Sequence, residues 1–155
     1  MKINEFMITD VISVHEETKI KQLLQILVNN KIGGFPVVDE TDRLKGMISD
    51  GDIIRHLQPK GRTIYDMFSL VIVNEHEDFQ NKITSCVDHQ AKDIMKKNIY
   101  AVHPDDDVEK AISIFSNHHF KKIPVINEDK QVMGVVSRGD IIRFISTKII
   151  AESTD

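Results

Sequence analysis

The sequence has a single cysteine, Cys86, among 155 residues. That excludes an internal disulfide framework and any cysteine-only metal cluster, and it fits a reducing compartment. There is no excess of basic charge: 20 Lys+Arg against 24 Asp+Glu leave a formal charge of -4. A grip on nucleic-acid phosphates normally shows as a basic surplus, so no nucleic-acid partner is expected. Long apolar runs are missing too. Stretches such as Leu70–Val73 fall far short of the roughly 20 residues that a membrane span needs. The opening Met-Lys-Ile-Asn-Glu-Phe lacks the apolar core of a secretory signal, so a cytoplasmic protein with no membrane association is expected. The chain contains no Gly-x-Gly-x-x-Gly and no glycine-rich phosphate loop ending in lysine. Its seven histidines show no metal-ligand spacing, His118 and His119 being adjacent, so no metal is expected. Cys86 has no evident triad partner, and no residue constellation supports an enzyme; no catalytic residue and no cofactor are assigned.

What remains is the balance of a globular chain, with 41% hydrophobic and 28% charged residues. Its organisation is a repeat. An offset of about 88 residues lays Phe6–Leu57 on Ile94–Ile145 without a gap. Met7 falls on Met95, Pro36-Val37 on Pro124-Val125, and Ser49 on Ser137. The run Gly51-Asp52-Ile53-Ile54-Arg55 returns unchanged as Gly139-Asp140-Ile141-Ile142-Arg143. Within the copies, Ile20, Leu23, Leu24 and Leu27, and likewise Val108, Ala111, Ile112 and Phe115, have the spacing of an amphipathic helix. Thr18 and Asp106 are the predicted N-caps. Strands are predicted over Val11–Val14, Phe35–Val38 and Leu44–Ser49, with counterparts Ile99–Val102, Ile123–Ile126 and Val132–Ser137. A further helix follows each third strand, ending near Pro59 in the first copy and near Ile150 in the second. The pattern reads β-α-β-β-α twice, an α+β unit of two pseudo-symmetric copies packed sheet to sheet. Repeat 1 covers 1–58 and repeat 2 covers 91–150. In the insert 59–90 only the helical spacing of Phe79, Ile83 and Val87 and a strand or core run at Val71–Val73 stand out.

The octapeptides Gly46-Met47-Ile48-Ser49-Asp50-Gly51-Asp52-Ile53 and Gly134-Val135-Val136-Ser137-Arg138-Gly139-Asp140-Ile141, each preceded by an apolar-Pro-apolar strand, resemble the signature of the CBS domain. Two in tandem resemble a Bateman module, over about two-thirds of the chain. The resemblance implies a non-catalytic regulatory module that senses adenine nucleotides (AMP, ADP or ATP) or related adenosyl compounds in clefts between the copies. It also implies a disc-shaped homodimer acting on a protein partner. Asp52 and Asp140 would accept from ribose hydroxyls, and Ser49, Ser137, Arg138 and Gly139 would meet phosphate. Free amides at a strand-to-helix corner suit that role. Ser-x-x-Asp at a helix start is also nearly a capping box, in which the acid turns back on its own backbone. Asp50 in one copy and Arg138 in the other place the expected phosphate end at the second corner, where His118, His119, Lys121 and Lys122 also precede the proline strand. The resemblance puts adenine between the first and second strands of a copy, at Val11, Phe35 and Pro36 or at Ile99, Ile123 and Pro124. Ser13 matches a position that is often threonine in the family, whereas its counterpart is Ala101. The alternative is a structural or protein-interaction dimer whose clefts are vestigial.

Overall fold

Apolar residues at helical and alternating spacing place the elements of each copy. In the computed structural model, which describes residues 1–58, 61–66, 71–76 and 78–154, the first copy runs β1 (Val14–His15), α1 (Ile20–Asn30), β2 (Gly34–Val38), β3 (Leu44–Ser49) and α2 (Asp50–Leu57). β1 lies parallel to β2, which pairs antiparallel with β3. The insert contributes an antiparallel hairpin, β4 (Gly61–Asp66) with β5 (Val71–His76), then α3 (Phe79–Cys86). The short α4 (Ala91–Ile94) opens the second copy, followed by α5 (Val108–Asn117), β6 (Lys122–Ile126), β7 (Val132–Ser137) and α6 (Arg138–Ser153). The Val71–Val73 run is therefore strand, and Phe79 and Ile83 lie on a helix. α2 ends at Leu57, and Pro59 lies outside the described residues.

Two expectations shift by small amounts. The first strand shrinks to Val14–His15, and in the second copy to a single bridge between Val102 and Val125. Only there does the chain reach the register of the proline strand; Val11, Ile12 and Ile99 stay irregular and half-buried. The helix caps are Lys19 and Asp107, one residue later than predicted. Thr18 and Asp106 instead accept from the amides of His15 (3.1 Å) and His103 (2.7 Å), closing the turns before the helices.

The two copies exchange their leading segments. Ile3, fully buried, and Phe6 and Met7 pack into the core of the second copy with Val102, Val108, Ile123 and Val136. Their repeat equivalents Ala91, Ile94 and Met95 pack into the core of the first with Val14, Leu23, Phe35 and Ile48. Backbone bridges follow the same crossing, Ile8 to Val135 and Met47 to Lys96. Each core is thus closed by the other copy's leader, and burying a residue such as Ile3 contributes about 1.5–3 kcal/mol. Near the pseudo-two-fold axis Arg43 bridges its own equivalent, Gln131. β2 and β6 also approach there, so that the Lys122 ammonium donates to the carbonyl of its equivalent, Gly34, at 3.3 Å.

Candidate functional site

Each strand-to-helix corner is a completed capping box. At the first, the Ser49 amide donates to Asp52 Oδ2 (2.9 Å), the Ser49 hydroxyl donates to the same oxygen (3.1 Å), and the Asp52 amide donates to Ser49 Oγ (3.3 Å). At the second, the equivalent distances to Asp140 and Ser137 are 2.8, 2.8 and 3.2 Å. The other carboxylate oxygen takes an arginine one turn on, Arg55 on Asp52 and Arg143 on Asp140, both at 2.7 Å. Oδ2 is therefore saturated at both corners. Oδ1 retains a lone pair for a hydroxyl donor, shared at the first corner with Lys96 at 3.5 Å.

Both carboxylates border open hollows. A cavity of about 230 Å³ lies beside Ser49, Gly51 and Asp52. Its far wall comes from the second copy: Lys96, His119, Phe120, Lys121 and Lys122. A smaller one of about 170 Å³ lies beside Ser137 and Asp140, walled by Val11, Ile12, Ile32 and Pro36 of the first copy. Gly34 and Lys122 line both. A Cβ at Gly34 would stand 2.7 Å from the Ile48 carbonyl oxygen, so the shared wall has room for glycine alone.

The crossing redistributes the predicted residues. Ser49 and Asp52 line the first cavity; Val11, Pro36, Ser137 and Asp140 line the second. Phe35 and Ile123 are core, 1% and 0% exposed, and line neither. Ser13 is exposed, Ile99 half-buried and Pro124 buried, also away from both cavities. Arg138 and Gly139 line neither; Arg138 edges a groove between α5 and α6 formed by Ile112, Phe115 and Ile145. Of the basic residues at the start of β6 and just before it, His119 and Lys121 line only the first cavity, across the axis from the corner predicted for them, whereas Lys122 lines both. Lys121 forms an ion pair with Asp50, so the acidic residue expected to repel an anion there is neutralised. Arg55, Lys96, Lys121 and Lys122 face the first cavity against Asp52, whereas Asp10 and Asp140 face the second against Lys122. Burial pushes the Lys122 ammonium below the usual lysine value, with Asp140 opposing. Phe120, half-buried, is braced by Tyr100 and His118, whose rings stack at 4.3 Å. Sequence spacing carries no sign of Lys96 or Phe120 as wall residues, because the offset pairs equivalents without showing which copy they face.

Burial drives the Asp52 carboxyl upward, but the Ser49 amide, the Arg55 guanidinium and Lys96 outweigh it and hold its pKa below the ordinary 3.8. A depressed folded value means that the stabilisation is complete above the unfolded pKa and is lost as pH falls through the folded one. Asp52→Asn is expected to flatten the acid limb of a Tm-against-pH profile, below about pH 4. An unchanged limb would assign it to other depressed acids such as Asp106.

The chain matches the CBS domain family twice, over residues 3–59 and 91–147. It is 29% identical over 147 residues to the CBS domain-containing protein CBSX1, chloroplastic, of Arabidopsis thaliana, covering 91% of this chain and 62% of that protein's length. Among solved structures it is similar to CBSX2 in complex with AMP, with a TM-score of 0.72 and 24% identity over 94% of this chain and 96% of the other. The CBS domain pair of protein MJ0100, in complex with 5'-methylthioadenosine and S-adenosyl-L-methionine, also gives a TM-score of 0.72, with 23% identity over 96% and 98% of the two chains. Both structures share this fold. No helix among the described residues is long and apolar enough to cross a membrane. With both octapeptides at strand-to-helix corners and both repeats matched, the chain belongs to the CBS domain family as a tandem pair of the Bateman type.

Proposed function

We propose that the chain is a regulatory module that binds an adenine nucleotide in the cleft at Ser49–Asp52. The observation that carries this is the collection of Arg55, Lys96, Lys121 and Lys122 on one hollow whose carboxylate sits at its edge. Phosphate meets the lysines. A ribose hydroxyl takes the remaining lone pair of Asp52 Oδ1, and the Phe120 ring offers the base a flat apolar face. The second cleft, with Asp10, Asp140 and apolar walls, suits an uncharged or cationic adenosyl group better than a phosphate. That relatives' structures hold AMP, or S-adenosyl-L-methionine with methylthioadenosine, supports the same two classes of ligand. The module performs no chemistry on its ligand; ligand shifts the angle between the copies, and a partner protein reads it. Repeat-equivalent Ile54 and Ile142, 68% and 66% exposed on α2 and α6, suit the homodimer, and the chain works in the cytoplasm. The completed capping boxes favour the second reading, a scaffold dimer with vestigial clefts.

A thermal-shift panel of AMP, ADP, ATP, adenosine and S-adenosylmethionine separates the two. At about 100 times Kd a ligand adds roughly 2.7 kcal/mol, or about 5–10 °C in a chain of this size. AMP is expected to exceed adenosine in the shift at equal concentration. No shift with any of the five would leave the scaffold.

A further inference from the structure

At the junction of α2 with the end of the insert, three metal-ligating side chains converge outside both clefts. His56 lies in the last turn of α2, Cys86 ends α3, and His89 sits in the turn before α4. Their donor atoms all lie within 4.8 Å of one another. His56 Nε2 and His89 Nδ1 are hydrogen-bonded at 2.9 Å, with the rings at 65° and 5.2 Å between centroids, so both nitrogens already sit at one junction. The Cys86 thiol is fully buried and leans toward the His56 carbonyl at 3.9 Å. The turn is held by its own backbone: the His89 amide donates to the Cys86 carbonyl at 2.9 Å, and its carbonyl accepts from Ile20 at 2.8 Å. Both α2 and α3 end here, and the negative ends of two helix dipoles favour a cation.

We propose that His56, Cys86 and His89 form a binding site for a borderline divalent transition metal, zinc first. A tetrahedral zinc ion sets N and S ligands about 3.3–3.6 Å apart, which the three atoms reach with shifts of a few tenths of an ångström to one ångström. Two imidazoles and a thiolate select zinc, cobalt or copper over magnesium and calcium, which prefer oxygen. Because His89 is exposed, a water completes the tetrahedron from the solvent side. Binding takes up neutral imidazoles and releases the thiol proton to solvent. His56 precedes the insert while Cys86 and His89 lie near its end, so the ion fastens the end of the insert to the first repeat. A separation of 30 residues between two of the ligands is why no spacing motif shows in the sequence.

The test is titration of the chelator-stripped full chain with Co²⁺, followed by visible and near-ultraviolet absorption. The expected result is one equivalent per chain, intense tetrahedral d–d bands, a thiolate-to-cobalt charge-transfer band, and displacement of all three by Zn²⁺. His89→Ala, an exposed substitution, is expected to weaken binding at least 10-fold with the far-ultraviolet circular dichroism unchanged. Cys86→Ala is expected to remove the charge-transfer band. A spectrum of hexaaqua cobalt alone, or a charge-transfer band that survives in Cys86→Ala, would overturn the proposal. Neither result depends on nucleotide, since none of the three residues lines a cleft.

Discussion

Phe35→Ala is expected to lower the unfolding free energy by about 3–5 kcal/mol, the cost of removing a buried aromatic ring from a core that cannot fully collapse. Phe35 is 1% exposed and packs with Val14, Leu23, Ile48 and Ile53, closed over by Ala91 of the other copy's leader. Against a typical total of about 5–15 kcal/mol, this is a large share of the stability. Chemical denaturation monitored by circular dichroism measures it. Because the ring lines neither cavity, AMP affinity of the folded protein is expected to change less than about threefold. A small stability loss with a large loss of affinity would instead return Phe35 to the adenine slot in which the resemblance places it.

Lys122→Gln is expected to weaken AMP binding by about 10–100-fold, the equivalent of one lost charge-assisted hydrogen bond. Adenosine affinity is expected to hold within about threefold, because the lysine serves the phosphate alone. Among the described residues Lys122 is the one cation that lines both hollows, and its burial already disfavours the charged form. An incoming phosphate adds an anionic partner to a partly desolvated ammonium, which makes the contact worth more than one with an exposed lysine. Isothermal titration of both ligands against both proteins gives the comparison. Equal losses for AMP and adenosine would mean that Lys122 shapes the cleft without meeting phosphate.

The repeat, the amphipathic helices and the strands around them in each copy were legible because they leave regular spacings: Ile20, Leu23, Leu24 and Leu27 mark a helix wherever they fold. The corners were legible for the same reason, since Ser-x-x-Asp followed by apolar residues is both a cap and a signature. What the sequence could not show is which copy faces which. Ile3 and Ala91 close the opposite copy's core, and Lys121 and Lys122 face the opposite copy's corner. Sequence proximity therefore assigned the cations to Ser137, when the crossing brings Lys121 to Ser49 and sets Lys122 between the two cavities. Arg138 misled similarly: it follows Ser137 directly, yet a helix turns successive side chains by about 100°, which carries it to the α5–α6 groove. The capping geometry and the ligand reading proved compatible in space, as each carboxylate turns back on its backbone at the edge of an open hollow.

The most direct measurement is a two-dimensional amide NMR titration of the full chain with AMP. The account predicts saturable shifts concentrated at the amides of Ser49, Gly51 and Asp52 and, across the axis, at Phe120, Lys121 and Lys122. Saturating AMP that leaves these amides unmoved, or moves only residues away from the hollow between them, would contradict it.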